Sequence, residues 1–406
     1  MPVQCQKVLY RLDPFVFRSR RRIFWWIELN KEKGIMRSRR FFWTLYSLLL
    51  MAGIAFLPAL GQAKNAPTLK VSYVFTTHHT PLMIAAIKGE EFRDQGVWLR
   101  PLLDKQKYEL VADGDTVAFL DFVVAKSGSE SATLFAMKHI DMALASVTAM
   151  MAAVDKGTPV KVLCPLQTEG MALVAPTDSS LENWDAFLAA ANNAKQPIKI
   201  GYHSPTSAPK IVFEGALRES GLTVTENPND YQAKVLMVDL KETGNMLPAL
   251  ASKQVEAIVG PSPFPEVAVS RGVGKVVADL RDLPPEGRWH DYPCCVTAAR
   301  DDVIEAHPEV MRTFIELMAK TNTWCNQNQS EAGALAASWI GIPESAGRAS
   351  KLVFLTGFTD SWMANSGNYL DILNHMDKFN GQLKGKTLQQ AMTLMFDTRF
   401  IEPAGQ

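Results

Sequence analysis

The chain has 406 residues, of which 47% are apolar, and its 42 basic and 42 acidic residues give a formal net charge of +0. This balance is typical of a globular protein and argues against nucleic acid or an anionic membrane as a partner, because both bind strongly basic surfaces. Five cysteines are too few for a disulfide scaffold, and the sequence has no CxxC, HExxH, P-loop or GxSxG motif, so it carries no enzyme signature.

Residues 36–63 have the pattern of a cleaved export signal. Arginines precede an apolar run at residues 41–60, and a small-x-small sequence ends at Ala63, as signal peptidases require. We therefore expect a periplasmic protein. Residues 38–42 also resemble the start of a twin-arginine signal, so both the general and the twin-arginine export routes stay open. An uncleaved membrane anchor is the alternative, because the run is about long enough to span a bilayer.

Residues 1–35 do not fit this export signal, whose basic region is complete without them. Residues 31–35 back-translate to a purine-rich tract that resembles a ribosome-binding site just before Met36. We expect translation to start at Met36, and residues 1–35 to be an untranslated or disordered extension.

From Lys64 onward the chain is long enough for two domains. Short β-branched runs alternate with helical patterns, which is typical of parallel βαβ units and an α/β fold. Strands are predicted at residues 69–75, 97–102, 140–145, 160–164, 198–201, 235–240, 255–260 and 294–299. Helices are predicted at residues 81–88, 149–156, 209–220 and 266–271, and longer ones at residues 308–328, 331–339, 343–354 and 361–379.

Part of this pattern occurs twice at one constant offset. Asp141 and Gly157 correspond to Glu256 and Gly272, so that in each copy an acid opens a strand and a glycine closes the following helix. The repeat predicts two similar lobes, although any βαβ unit can end its helix in this way. We expect residues 68–172 and 284–401 to form lobe one, with the C-terminal helices bracing it, and residues 173–283 to form lobe two.

Two loops are candidates for ligand binding, because ligands of open α/β sheets bind beyond the carboxyl ends of the strands. Residues 76–80 follow the first strand, with Thr80 predicted as the N-cap of a helix that starts at Pro81. Residues 204–208 precede Pro209 in the same manner. Each loop offers hydroxyls and N–H groups at a positive helix end, which suits an oxyanion or another acceptor-rich group. Simple helix capping without a ligand is the alternative.

Three further loops are predicted to line the same cleft. Residues 146–148 belong to lobe one, and residues 261–264 lie at the crossover out of lobe two. Residues 167–170 lie at the crossover into lobe two, where the polar side chains of Gln167 and Glu169 can close over a ligand.

Histidine and cysteine pairs raise the question of a metal. His78 and His79 are adjacent, Cys294 and Cys295 are adjacent, and His290 lies near the cysteines. We expect no metal site, because neighbouring residues rarely bind one ion together and the spacing matches no zinc motif. A hydrogen bond from one histidine to the ligand and buried thiols on a strand are the simpler interpretations, since a bond between adjacent cysteines is strained.

Several motifs occur in a characteristic order. They are TPLMIA at residues 80–85, AAVDKGTPVKV at 152–162, GYHSPTS at 201–207, GP at 260–261, RDD at 300–302 and HPE at 307–309. Together they resemble the nitrate/sulfonate/taurine-type substrate-binding proteins of ABC transporters, a family that includes binders of thiamine-pyrimidine precursors. The resemblance covers nearly the whole chain after the export signal.

This resemblance implies a type II periplasmic-binding-protein fold, in which two α/β lobes joined by two hinge strands trap a small solute and deliver it to a membrane permease. Carried over by position, the family's ligand contacts fall on Thr77, His78, His79, Ser146, Thr148, Ser204, Thr206, Ser207, Pro261 and Phe264. These loops contain no Arg or Lys, so an aromatic or amide-bearing ligand of the pyrimidine type suits them as well as a sulfonate or a nitrate-like anion.

Two other functions stay open at this point. One is an enzyme on the same fold, resembling the pyrimidine precursor synthases, which carry a cysteine-rich motif and bind pyridoxal phosphate. The Cys294-Cys295 pair is shorter than that motif. The other is a metal-sensing or redox-sensing binding protein. We expect a monomeric receptor with no enzymatic activity and no cofactor, whose partners are a small-molecule ligand and the ABC permease subunits.

Overall fold

The computed structural model describes residues 66–401. The extension predicted at residues 1–35 and the export signal predicted at residues 36–63 lie outside this range. Among residues 66–401, no helix combines the length and the apolar character needed to cross a membrane.

The strands of the described residues form two sheets. In chain order they are β1 (Thr68–Val74), β2 (Val97–Leu103), β3 (Lys107–Ala112), β4 (Asp115–Ala125), β5 (Met142–Ser146), β6 (Val160–Thr168), β7 (Met171–Pro176), β8 (Ile198–Tyr202), β9 (Val224–Thr225), β10 (Val235–Asp239), β11 (Ala257–Pro261), β12 (Gly274–Asp279), β13 (Pro293–Arg300) and β14 (Val353–Phe354). The first sheet has the order β14-β6-β13-β5-β1-β4-β3-β2, and the second has the order β12-β7-β11-β8-β10-β9. The chain therefore crosses to the second sheet after β6 and returns before β13.

Helices pack around both sheets. In chain order they are α1 (Thr80–Ile87), α2 (Gly89–Phe92), α3 (Gly128–Ala136), α4 (Val147–Asp155), α5 (Trp184–Asn193), α6 (Ala208–Glu219), α7 (Met246–Ala251), α8 (Phe264–Ser270), α9 (Asp301–Ala306), α10 (Pro308–Gln327), α11 (Gln329–Ile340), α12 (Glu344–Ala349), α13 (Asp360–His375) and α14 (Leu388–Met395). We call the first sheet with its helices lobe one, and the second sheet with its helices lobe two.

The centre of each sheet is parallel and buried. Strand β1 lies parallel to β4 and β5, and β8 lies parallel to β10 and β11. Strands β5 and β11 are apolar and buried along nearly their whole length, as expected where helices cover both faces of a parallel sheet. The predicted fold class, α/β with two lobes, is confirmed.

The sequence repeat corresponds to the same bonding in both lobes. The Asp141 carboxylate accepts the N–H of Lys70 in β1 at 2.7 Å, and the Glu256 carboxylate accepts the N–H of Lys199 in β8 at 2.8 Å. The N–H of each acid donates back to the carbonyl of the same lysine at 2.9 Å. In each lobe the acid thus fixes the strand that follows it against its neighbour.

The C-terminal helices brace lobe one, as predicted. Helices α10 and α11 pack against α1, and α14 packs against α4 and β6. Helix α13 contacts α4 and β13 in lobe one and also α6 in lobe two. The predicted helix at residues 343–354 is wrong in its second half, because α12 ends at Ala349 and Val353–Phe354 pair with β6 as strand β14. The buried Phe354 side chain packs there against a small apolar cluster.

Two predicted helix starts also differ from the structure. The hydroxyl of Thr76 accepts the N–H of His78 at 3.3 Å and caps a 3-10 turn, Thr77–His79, that leads into α1. Thr80 is therefore the first residue of α1 and not its N-cap, and its hydroxyl donates to the Thr77 carbonyl at 2.6 Å. By analogy with Thr80 and Pro81, the residue before Pro209 would be the N-cap of α6. The structure instead places Ser207 at the N-cap, one residue earlier, and α6 begins at Ala208.

Gly333 of α11 and Gly347 of α12 bring these two helices into direct backbone contact. A methyl group at Gly333 would lie 2.1 Å from the Gly347 carbonyl oxygen, far inside van der Waals contact. We expect Gly333→Ala to lower the free energy of unfolding by about 1–3 kcal/mol, because α12 has to move away. Urea denaturation measures this loss.

Gly367 of α13 provides a matched control for this substitution. A methyl group there would meet only Leu388, at the ordinary distance of 3.5 Å. The better helix propensity of alanine should therefore raise the free energy of unfolding of Gly367→Ala by up to about 1 kcal/mol. The same sign of change in both variants would contradict the close contact between α11 and α12.

Candidate functional site

Hydroxyl groups hold the two lobes together along a cleft. The Ser129 hydroxyl of α3 lies 2.6 Å from the Ser204 hydroxyl and 2.7 Å from the Thr206 hydroxyl, both in lobe two. The Thr206 carbonyl accepts hydrogen bonds from the hydroxyls of Ser146 at 3.2 Å and Thr148 at 2.7 Å in lobe one. The loops at residues 146–148 and 204–208 therefore face each other.

A second set of contacts joins the lobes near the crossovers. The Thr76 hydroxyl donates to the Ser262 carbonyl at 2.6 Å, and the His78 Nε2–H donates to the Gly170 carbonyl at 2.9 Å. The loop at residues 76–80 therefore contacts both crossover loops that the sequence predicted to line the cleft.

Three helices begin at this cleft. Ser127, Ser146 and Ser207 occupy the N-cap positions of α3, α4 and α6. The Ser127 and Ser146 hydroxyls accept N–H groups of the first helical turns, as capping side chains do. The positive ends of the three helix dipoles therefore point toward the space between the lobes, which favours hydrogen-bond acceptors and negative charge there.

A cavity of about 40 Å³ lies between the lobes. Its lining includes polar residues of lobe one, polar residues of lobe two and the adjacent thiols of β13. Among them are Thr76, His79, His203, Ser207, Cys294 and Cys295. The cavity is small beside the roughly 300–1,000 Å³ of an ordinary small-molecule site.

Two buried histidines face this cavity as neutral side chains. The Nδ1 of His79 accepts the Val74 N–H at 2.9 Å, so its proton resides on Nε2. Burial and then the neighbouring His78 lower the pKa of His79 to about 3, and burial and then His78 lower the pKa of His203 to about 4. Neither His79 Nε2 nor His203 Nδ1 has a hydrogen-bond partner among the described residues. Nε2 of His79 is thus a buried N–H donor available to an acceptor in the cavity.

The structure brings most of the predicted site residues to the cleft. His79, Ser146, Ser207 and Pro261 line the cavity, and Thr148, Ser204 and Thr206 form the contact between the lobes beside it. Whether these residues contact a ligand stays a prediction.

Three predicted site residues lie elsewhere. The Thr77 hydroxyl donates to the Ser350 hydroxyl at 3.4 Å, beside α11. Phe264 packs against the apolar core of lobe two. The Gln167 side-chain amide turns back to donate to the carbonyls of Thr168 and Glu169.

Glu169 connects the two crossovers between the lobes. Its carboxylate accepts from the Arg281 guanidinium at 2.6 Å and from the Asp291 N–H at 3.0 Å. Glu169 and Gly170 both have a φ of 65°, in the left-handed region, where a side chain at Gly170 would also meet Leu352. Glu169 therefore ties the two crossovers together, and its carboxylate is already occupied.

His78 lies against two thiols rather than in open space. Its Nδ1 is 3.2 Å from the Cys294 sulfur and 3.9 Å from the Cys295 sulfur, and the two sulfur atoms are 3.9 Å apart. The hydrogen bond from Cys295 and the charge of His78 lower the pKa of the Cys294 thiol, although burial opposes this shift. Burial also disfavours protonation of His78, but the charge of Cys294 and its hydrogen bond raise the His78 pKa overall.

Sequence reasoning missed several residues of this region. Ser129 lies in the first turn of α3, which follows β4, a strand that the sequence analysis did not predict; the serines on both sides of Gly128 are the signal that was available. Cys294 and Cys295 are buried thiols on a strand, as predicted, but their place in the lining of the cavity was not foreseen.

The profile of the NMT1-like family matches residues 62–341. The chain belongs to the NMT1-like family. It is also 32% identical to an uncharacterized protein of Methanocaldococcus jannaschii over 130 residues, which is 32% of this chain and 87% of that protein. The family match agrees with the resemblance predicted from the motifs.

Solved structures share the fold at low sequence identity. The ligand-binding component of an ABC-type import system from Staphylococcus aureus, with zinc bound, matches with a TM-score of 0.61 and 15% identity over 82% of this chain and 97% of that chain. The periplasmic nitrate-binding protein NrtA from Synechocystis matches with a TM-score of 0.56 and 15% identity over 75% of this chain and 80% of that chain. The alkanesulfonate-binding protein SsuA from Xanthomonas axonopodis, bound to MOPS, matches with a TM-score of 0.57 and 11% identity over 77% of this chain and 94% of that chain. The predicted periplasmic-binding-protein fold is confirmed.

Proposed function

We propose that the protein is the solute-binding receptor of an ABC importer, which traps a small polar or anionic organic molecule between its lobes and delivers it to a membrane permease. The observation that carries this proposal is the cavity between the lobes, which is lined by His79, whose buried Nε2–H has no partner among the described residues. A buried donor without a partner is costly, so it favours an acceptor from a ligand.

The charges around the cavity favour a particular class of solute. Its lining among the described residues contains no Lys or Arg, and both histidines that face it have lowered pKa values. Recognition would then rest on N–H groups, hydroxyls and helix ends, which bind oxygen or nitrogen acceptors without a full counter-charge. A neutral amide-bearing ring or a singly charged sulfonate or nitrate-like anion meets this requirement.

The proposed mechanism is a shift of population between open and closed lobes. A solute larger than about 40 Å³ requires the lobes to move apart at the hydroxyl contacts, with rotation at the two crossovers near Glu169. A ligand that binds both lobes stabilises the closed arrangement by its difference in affinity for the two states. The closed arrangement would then dock on the permease. In this proposal the receptor is a monomer, exported to the periplasm by the signal at residues 36–63 and without catalytic activity.

A thermal-shift screen tests this function. We expect one class among alkanesulfonates, nitrate and pyrimidines to raise the melting temperature of the purified protein, because a ligand that binds only the folded state stabilises it by mass action. Titration calorimetry then gives the dissociation constant. If no member of the panel binds, or if the protein converts a member into a product, the proposal fails.

A triple variant connects the binding to the cleft. We expect Ser204→Ala/Thr206→Ala/Ser207→Ala to weaken ligand binding about tenfold or more, because hydrogen bonds of about 1 kcal/mol each are lost, while circular dichroism stays unchanged. The matched control is Ser220→Ala in the same lobe, just beyond the far end of α6 and about 18 Å from its start. Unchanged affinity in the triple variant would remove this loop from the binding site.

A further inference from the structure

The cluster formed by His78, Cys294 and Cys295 lies beside the cavity and offers metal-binding atoms that the trapping of a polar solute does not require. All three residues belong to lobe one, and only 1%, 2% and 5% of their respective surfaces are exposed. Their donor atoms lie within 4.8 Å of one another. The cysteines line the cavity between the lobes, so opening of the lobes would give solvent access to the cluster.

The distances in this cluster match the edges of a tetrahedral metal site. With zinc–sulfur bonds of about 2.3 Å and zinc–nitrogen bonds of about 2.05 Å, tetrahedral angles place nitrogen and sulfur about 3.5 Å apart and two sulfurs about 3.8 Å apart. The observed separations are 3.2 and 3.9 Å from His78 Nδ1 to the two sulfurs, and 3.9 Å between the sulfurs. An ion therefore fits between these atoms after shifts of only a few tenths of an ångström.

Backbone features hold the three side chains in this orientation. The pairing of β13 with β6 is irregular between Pro293 and Cys295 and again between Cys295 and Val296. Such a bulge re-aims side chains, which otherwise alternate between the two faces of a strand, and here both thiols approach His78. The Nε2–H of His78 donates to the Gly170 carbonyl. This bond leaves Nδ1 free to coordinate, in the manner of metal-binding histidines.

The charge of such a complex suits its burial. Two thiolates, one neutral imidazole and one divalent cation carry no net charge, which limits the cost of placing ions away from water. The three donors are two soft sulfurs and a nitrogen, and Asp and Glu are absent from this cluster of described residues. This donor set favours zinc over magnesium or calcium, which require oxygen ligands.

We propose that His78, Cys294 and Cys295 bind one thiophilic divalent cation of the zinc type through Nδ1 and two sulfurs, with the fourth coordination position facing the cavity between the lobes. Both thiols release their protons to solvent when the ion binds, and no oxidant or reductant is needed. In the sequence, the adjacency of the two cysteines argued against a metal site, because neighbouring side chains of a strand point to opposite faces. The irregular pairing of β13 removes this objection, since it lets both thiols approach His78.

Titration of the reduced, metal-free protein with Co²⁺ tests this site. Co²⁺ reports tetrahedral thiolate coordination through d–d absorption and sulfur-to-metal charge-transfer bands. We expect saturation at one ion per chain, displacement of Co²⁺ by Zn²⁺, and a charge-transfer intensity that falls by about half in Cys294→Ser and in Cys295→Ser. Absence of charge-transfer absorption from the unsubstituted protein would overturn the proposal.

Matched variants separate coordination from folding. Cys164 and Cys325 are also buried free thiols, and they lie outside the cluster, so Cys164→Ser and Cys325→Ser should keep the full Co²⁺ spectrum. His78→Gln can still donate to the Gly170 carbonyl but loses the Nδ1 ligand, and we expect its Co²⁺ affinity to fall at least tenfold with unchanged circular dichroism. Wild-type affinity in His78→Gln, or an equal spectral loss in Cys325→Ser, would overturn the site. Because the spectra need no solute, this result is independent of the proposed receptor function.

Discussion

Replacing Lys210 with Met is expected to lower the free energy of unfolding by about 3 kcal/mol or more. Lys210 lies in α6, its side chain is 0% exposed, and its Nζ is 2.8 Å from Glu214 and 2.7 Å from Glu226. The Glu214 side chain is itself only 3% exposed. Without the lysine this buried carboxylate keeps Arg218 as its partner, at 2.9 Å, which leaves much of its desolvation cost uncompensated. Urea denaturation measures the loss.

An exposed lysine supplies the control for this prediction. Lys253 is only 2.6 Å from Asp178, but the two side chains are 66% and 68% exposed. We expect Lys253→Met to lose less than about 1 kcal/mol, as exposed ion pairs generally do. The double variant Lys210→Met/Glu214→Gln should regain part of the stability, because an amide is less costly to bury than a carboxylate. Equal losses from Lys210→Met and Lys253→Met would contradict the structural role of the buried pair.

The same substitution should change the response to acid. Burial tends to raise the pKa of Glu226, but hydrogen bonds and charges from Lys210 and Lys378 lower it from 4.5 to about 2. A carboxyl whose pKa is lowered in the folded state stabilises the protein above the unfolded pKa, and this contribution disappears as pH falls from 4.5 toward 2. The loss caused by Lys210→Met should therefore shrink over this interval. A loss that is independent of pH would exclude a contribution from Glu226.

Asp155→Ala is expected to lower the free energy of unfolding by about 2–4 kcal/mol. Asp155 is the last residue of α4 and only 4% exposed, and its carboxylate accepts the N–H groups of Asn380 at 3.1 Å, Gly381 at 3.0 Å and Leu383 at 2.9 Å. Alanine leaves these three N–H groups without their charged acceptor. The segment between α13 and α14 then keeps the backbone bond from the Gln382 N–H to the carbonyl of residue 155 but loses its three bonds to the side chain, and urea denaturation reports the cost.

Two substitutions serve as controls for Asp155→Ala. Asp155→Asn keeps one carbonyl oxygen as an acceptor and should show an intermediate loss. Asp371 in α13 is exposed, and we expect Asp371→Ala to change the stability by less than about 0.5 kcal/mol. A loss in Asp155→Ala no larger than in Asp371→Ala would mean that the three hydrogen bonds do not stabilise the C-terminal segment.

Local patterns in the sequence predicted much of the fold. Strands β1, β5, β8 and β11 and helices α1, α4, α6 and α10 lie within a few residues of their predicted positions, because apolar periodicity and closing glycines act locally. The hairpin of β3 and β4 was missed although its turn, Asp113-Gly114, has the expected signal. These residues have φ values of 50° and 93°, which an Asp-Gly turn adopts readily.

The candidate site was harder to predict than the strands and helices, because it is formed by contacts between distant parts of the chain. The facing loops were predictable because each follows a strand and precedes a helix. The capping role of Thr76, which had been assigned to Thr80, was not predictable, because a 3-10 turn separates the strand from the helix. The approach of Cys294 and Cys295 to His78 depends on how β13 pairs with β6. Strand pairing over such a distance leaves no periodic signal in the sequence.

The chemistry of the contact between the lobes has a consequence for the conditions under which the protein works. At the cleft the lobes are joined by hydrogen bonds among hydroxyls and carbonyl oxygens and by the bond from the His78 ring to the Gly170 carbonyl. Two ion pairs also join the lobes, Lys126 with Glu242 at 3.4 Å and Lys378 with Glu226 at 2.9 Å, and all four side chains are more than a third exposed. Dissolved salt screens charges but leaves neutral hydrogen bonds almost unchanged. Salt should therefore weaken the two exposed ion pairs and leave the hydroxyl contacts at the cleft in place, so that the closed arrangement keeps most of its bonds in saline surroundings.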